Sequence, residues 1–183
     1  MALKATIFKV ELSISDMDKH YYADHSLTIA RHPSESDKRM MLRIIAFAFN
    51  AHEQLEFTKG LSDVDTPDLW QKSYSDEIEL WIELGQPSEQ RIKKGCNQAQ
   101  QMLVYCYDNN AFDEWWKKEH NALNMRKNLS IATVSDEAME HLANLVARQM
   151  HIQVTIQDGQ AWFNVNDETL EITLKQIKAI AGS

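Results

Sequence analysis

Strict two-residue alternation near the N-terminus constrains this chain more than any other feature. In TIFKVELSIS, residues 6–15, Phe8, Val10, Leu12 and Ile14 fall on one side and Lys9, Glu11 and Ser13 on the other. A strand with one face in a core and one in water satisfies that pattern, because side chains alternate across a sheet. A second alternating run, residues 21–31, places His25, Leu27 and Ile29 on one face after the polar stretch DMDK. The chain is therefore predicted to open on a β-hairpin.

The period then changes. In ARHPSESDKRMMLRIIAFAFNAHEQLEF, Pro33 and its following serines supply helix-start signals, with Glu35 and Asp37 in the first turn. Met41, Ile44, Ile45, Ala48 and Leu55 recur at helical spacing, which predicts a helix packed on a sheet. KGLSDVDTPDLW, residues 59–70, reads as a loop, and EIELWIEL, residues 77–84, as a strand. Beyond it come a helix from about Pro87 to Ala99, a strand at 102–107, a helix at 112–123 and a strand at 128–134. A helix is predicted over 135–150 with Ser135 as its cap, then a hairpin, IQVTIQ and AWFNV, turning at Asp158-Gly159. The tail, ETLEITLKQIKAI, suits a strand or a short helix. This order predicts an α/β (α+β) fold, a mixed central β-sheet flanked by helices with N- and C-terminal β-hairpins. A length of 183 residues suits one domain.

Bulk properties narrow the function classes. A net charge of −8 opposes tight non-specific binding to nucleic acid, whose affinity comes from cations on phosphates. Any nucleic-acid partner is expected to bind a local basic groove in a weak, salt-sensitive way. The two cysteines, Cys96 and Cys106, lack C-x-x-C spacing and are read as buried free thiols of a reducing, cytoplasmic protein. No apolar run approaches the ~18 residues of a membrane span, and charged residues interrupt the N-terminus, so no membrane association is predicted.

One constellation carries chemistry. Glu83 ends a strand and Asp68 closes the preceding acidic loop, which together offer hard oxygen ligands for Mg²⁺ or Mn²⁺. Phosphodiester hydrolysis also benefits from a cation near the phosphate. Gly85 shares the face of Glu83 but offers no side chain, so the cation falls to Arg91, Lys93 or Lys94 on the next helix. Arg91 and Lys93 flank the core face set by Ile92, Cys96 and Ala99, whereas Lys94 points outward, which favours Arg91 or Lys93. The plainer alternative is that Glu77, Glu79 and Glu83 form a solvated strand face and the lysines face water. Asp63-x-Asp65-x-x-Asp68 departs from the EF-hand loop, since Asp68 stands at the glycine position and Tyr74 at the final glutamate, and reads as an acidic turn. H-E-x-x-H, G-x-S-x-G, phosphate-loop and dinucleotide fingerprints are missing. Cys106 lies in an apolar strand and reads as core. The Trp115-Trp116 pair reads as one buried ring and one at the surface or an interface.

Four segments in order, ARHPSESDKRMMLRIIAFAFNA, GLSDVDTPDLW, WIELGQPSEQRIKKGC and TIQDGQAWF, resemble the YaeQ family of bacterial proteins. The resemblance implies a divergent PD-(D/E)XK nuclease-like, restriction-endonuclease-like fold across residues 1–183. In it Pro67-Asp68 stands for the PD element and Glu83 for the (D/E) element, with Gly85 where that pattern has lysine. It implies that the missing charge comes from the following helix, pointing to Lys93 or Lys94, with Gln86 a further polar candidate. Glu35 is a candidate for an additional acidic residue, although an i,i+4 pair with Arg39 explains it equally well. The expectation is a divalent-metal-dependent phosphodiesterase or nuclease with Asp68 and Glu83 as ligands. The alternative is a non-catalytic module on the same scaffold that binds nucleic acid or a protein partner.

Overall fold

The computed structural model describes residues 3–182. In chain order the elements are strands β1 (Thr6–Asp16) and β2 (Tyr21–Arg31), helix α1 (Asp37–Phe49), and strands β3 (Leu55–Phe57), β4 (Leu69–Lys72) and β5 (Ile78–Leu84). Helix α2 (Glu89–Gln98), strand β6 (Gln101–Asp108), helix α3 (Asn110–Asn124), strand β7 (Leu129–Ser135) and helix α4 (Asp136–Asn144) follow. Strands β8 (Gln149–Gln157), β9 (Gln160–Val165), β10 (Glu168–Ile172) and β11 (Lys175–Lys178) complete the order. The fold is α+β, with helices and two mixed sheets. The described residues form two compact units, one within residues 1–44 and 137–173 and the other within 45–136 and 174–183.

The first unit contains a five-stranded sheet in the order β10-β9-β8-β1-β2. Both predicted hairpins belong to it, and β1 joins them by pairing parallel with β8, Leu12 opposite Ile152. The alternation of β1 is reproduced in its burial: Phe8, Val10, Leu12 and Ile14 are buried while Lys9 and Glu11 are exposed. Asp158 and Gly159 both take positive φ, 53° and 75°, as a tight hairpin turn with right-handed strands requires. The Asp18 carboxylate accepts both of their N–H groups, at 2.8 and 2.9 Å, and these bonds hold its pKa below the usual carboxylate value.

The second unit contains a six-stranded sheet in the order β11-β7-β6-β5-β4-β3. β5, β6 and β7 are parallel and are connected through α2 and α3, while β3, β4 and β11 run antiparallel to their neighbours. Ser88 caps α2 by accepting the Arg91 N–H, and Asn109 caps α3 by accepting that of Phe112. Its core includes Trp81, Ile92, Met102, Val104, Phe112, Leu123 and Leu129.

Several boundaries differ from expectation. The helix predicted over 135–150 ends at Asn144, and Gln149 and Met150 already belong to β8. The Lys9 N–H donates to the Arg148 carbonyl, so pairing with β1 outweighs helix propensity there. α1 ends at Phe49, and Leu55 is a strand residue opposite Gln71. Leu69 and Trp70, expected in a loop, form β4 with the two residues after them. The tail resolves into the two strands β10 and β11. Trp115 and Trp116 are both partly buried: Trp115 donates its indole N–H to the Pro87 carbonyl at 3.0 Å, and Trp116 stacks on Phe112.

Candidate functional site

The second unit brings Asp68, Glu83 and Arg91 together. β4 lies antiparallel to β5 with Leu69 opposite Ile82, so Asp68 and Glu83 are adjacent where the two strands meet the loops. The Asp68 N–H donates to the Ile82 carbonyl at 3.0 Å, and the Leu84 N–H donates to Asp68 Oδ2 at 3.0 Å. Thr58 anchors this corner from the other side. Its N–H donates to the Asp68 carbonyl at 3.1 Å and its hydroxyl to the Pro67 carbonyl. Both carboxylates are buried, with 2% of each residue exposed, which no ordinary solvated acidic face would show.

Glu83 owes its burial to α2. Trp81 and Glu83 lie two residues apart on one face of β5, and α2 covers that face with Ile92 and Gly95. The Trp81 indole N–H donates to Glu83 Oε1 at 2.9 Å, and Arg91 Nε lies 2.8 Å from the same oxygen. Burial pushes the Glu83 carboxyl above its usual range. The Arg91 hydrogen bond opposes that rise, the Asp68 charge reinforces it, and the Trp81 bond opposes it.

Arg91 reaches further. Its Nη1 donates to the Val64 carbonyl at 3.1 Å and its Nη2 to the Thr66 carbonyl at 2.7 Å. One guanidinium thus joins the loop before Asp68 to the strand carrying Glu83. Sequence spacing missed these carbonyl contacts, because backbone acceptors leave no residue signature. The Trp81 contact was missed as well, although alternation along the strand, which puts Trp81 on the face of Glu83, is a signal that could have found it.

The other candidates make other contacts. Lys94 pairs with exposed Asp65 at 2.8 Å, and that contact lowers the pKa of Asp65. Lys93 is exposed on α2, and Gln86 is exposed beyond β5. Of the helix cations, Arg91 alone is seen paired to Glu83 among the described residues. Gly85 has φ +82°, with open space where a Cβ would stand, so a lysine there would meet backbone strain rather than a clash. Glu35 lies in the first unit, buried between Arg39 at 3.1 Å and Arg43 at 2.7 Å. The structural pairing expected for it is present and extends to a second arginine.

The acidic loop forms a turn as expected, with the Asp65 N–H donating to Asp63 Oδ1 at 2.8 Å. Among the described residues no group of three or more histidine, cysteine, aspartate or glutamate side chains converges as metal ligands do. Both cysteines are free, Cys106 buried and Cys96 partly so. Burial pushes the Cys96 thiol up, against the charges of Arg126 and Lys178. No helix among the described residues is long and apolar enough to cross a membrane.

The model of the family described as YaeQ protein matches residues 1–174. The chain belongs to the YaeQ family. It is 42% identical over 174 residues to the YaeQ proteins of Escherichia coli K12 and Salmonella typhi, covering 95% of this chain and 96% of each relative. The crystal structure of YaeQ from Xanthomonas axonopodis pv. citri is similar with a TM-score of 0.91 and 44% identity, over 96% of this chain and 99% of that one. That of the Pseudomonas syringae YaeQ protein also gives 0.91, at 35% identity over 96% and 97% of the two chains. The YaeQ family membership and the mixed α+β architecture therefore agree, and the curated relatives are described as uncharacterized.

Proposed function

We propose that the Asp68–Glu83 corner binds one divalent cation, Mg²⁺ or Mn²⁺, and supports hydrolysis of a phosphodiester. In this reading the fold is a divergent PD-(D/E)XK arrangement, with Arg91 supplying the positive charge that Gly85 lacks. The observation that carries it is the meeting of two buried carboxylates at adjacent strand ends with a guanidinium 2.8 Å from one of them. Burying two like charges side by side is costly unless a cation compensates.

The donor set fits a hard cation. Mg²⁺ is commonly held by one or two carboxylates, with water and phosphate oxygens completing its shell. The Trp81 and Arg91 contacts both fall on Glu83 Oε1 and leave Oε2 to ligate. Bound there, the metal would polarise a phosphate oxygen and activate a water. The chain's own residues do the rest. Leu84 holds the Asp68 carboxylate by its N–H, Trp81 orients Glu83, and Arg91 of α2 pairs with Glu83. Arg91 uses three of a guanidinium's five N–H donors in the contacts described, and the remaining ones suit a phosphate oxygen. Exposed Lys93 and its neighbour Lys94 would add weak, salt-sensitive attraction for a nucleic-acid backbone. The free thiols fit a cytoplasmic setting.

A second reading has its own support. The Arg91 pairing already gives Glu83 a counter-charge, as a scaffold that binds nucleic acid or protein without turnover would need. Single- and double-stranded DNA and RNA incubated with Mg²⁺, with Mn²⁺ and with chelator separate the two. Metal-dependent cleavage by the wild type, reduced on the order of a hundredfold or more in Asp68→Asn and Glu83→Gln, supports hydrolysis. Equal products from wild type and both variants reject it, and binding without cleavage favours the scaffold reading.

A further inference from the structure

Arg91 stands beside the position a metal on Glu83 would take, and it simultaneously fastens the loop that leads into Asp68. We propose that Arg91 is a tethered competitor for the metal: the cation enters as the guanidinium lets go of Glu83, and that release loosens the strap on residues 63–66. This inference rests on reading Asp68 and Glu83 as the metal site.

Three observations converge on it. First, Glu83 Oε1 receives both the Trp81 indole N–H and Arg91 Nε, at 2.9 and 2.8 Å. A divalent ion ligated by the same carboxylate would stand close to that guanidinium, and two cations in low dielectric repel strongly. Second, the Val64 and Thr66 carbonyls are gripped by the two terminal nitrogens of the same side chain. Arg91 cannot shift away from Glu83 without changing those bonds, because the guanidinium is a rigid planar fork. Third, the strapped loop is held against a cost. Thr66 Oγ1 is buried without a hydrogen-bond partner among the described residues, and Val64 is 78% exposed. Such a segment is poised to rearrange once its fastening weakens.

The consequence is a coupling between two events, metal occupancy at Glu83 and loop release at 63–66, each biasing the other equally. A freed Arg91 would then be available to the phosphate beside the metal, so one side chain serves the resting and the loaded states in turn.

Calorimetric titration with Mn²⁺ of the full chain tests this, using Arg91→Met, Arg91→Lys and, to locate the site, Asp68→Asn. Amide hydrogen exchange across residues 63–66 supplies the second readout. Arg91→Met is expected to bind Mn²⁺ about tenfold more tightly than wild type. Saturating Mn²⁺ is expected to speed exchange at 63–66 in the wild type and leave the already loosened loop of the variant unchanged. Arg91→Lys, which keeps the charge but loses the fork, should fall between them and carries the test if Arg91→Met does not fold. If Mn²⁺ binds the wild type, Asp68→Asn abolishes it and the Arg91 variants bind no more tightly, the competition is overturned while the metal site stands. If neither wild type nor the Arg91 variants bind Mn²⁺, both fall.

Discussion

Glu83 concentrates the electrostatic tension of the site. Burial and the Asp68 charge raise its pKa, and Arg91 and Trp81 reduce that rise without cancelling it. An acid with a higher pKa in the fold holds its proton more tightly there. Its stabilising contribution is complete below the unfolded value of 4.5 and is lost as pH rises through the folded one. Glu83→Gln removes this titration and keeps the side chain's size. In chelator, the wild type is therefore expected to gain stability relative to Glu83→Gln as pH falls from 7 to 4, measured by urea unfolding at both values. A wild type that loses ground on acidification would contradict the assignment. That Asp68 and Glu83 would meet was legible in the sequence, since one closes a loop and the other ends the strand beside it. Which of Arg91, Lys93 and Lys94 pairs with Glu83 was not, because helical spacing gives a direction and the loop's carbonyls decide the reach.

Helix α2 makes the site by how closely it approaches the sheet, and Gly95 sets that approach. A Cβ at Gly95 would stand 2.6 Å from Met102 Sδ and 3.0 Å from Trp81 Cδ1, both side chains fully buried. Gly95→Ala would gain about 1 kcal/mol of helix propensity, yet lifting α2 off the sheet or repacking Trp81 costs about 1–3 kcal/mol. The expected outcome is a net loss in urea-unfolding stability together with a weaker Arg91–Glu83 contact; a variant as stable as the wild type would show that the packing yields freely. Alternation identified β5 readily, but not that its Glu83 face is covered. A glutamate on a strand reads as solvated until the helix above it is placed. The same limit explains β4. Leu69 and Trp70 follow an acidic, proline-containing loop, and only pairing with Ile82 and Trp81 makes them strand.

At the scale of the whole molecule each compact unit is assembled from two separated stretches of chain. A helix–strand pattern gives the order of elements, and two sheets of mixed direction emerge only from pairings distant in sequence, such as β1 with β8 and β11 with β7. β11 lies beyond residues 1–174, which the family model matches, yet it completes one edge of the six-stranded sheet. Lys178 secures it. Its Nζ donates to the carbonyls of Arg126 at 2.7 Å, Leu129 at 2.8 Å and Ala179 at 3.3 Å, while the Ala181 N–H donates to the Lys127 carbonyl at 2.8 Å. An ammonium has three donors, and here three carbonyls use them. Lys178→Met keeps the stem's apolar packing and strands those acceptors, a change expected to cost about 2 kcal/mol. Denaturant unfolding measures that loss. Amide exchange shows whether it is local: protection should fall across residues 175–178 and along the β7 edge that they pair with, and remain in β5 and β6. Unchanged protection at β11 would mean that the backbone ladder alone holds this edge and that Lys178 is incidental to it.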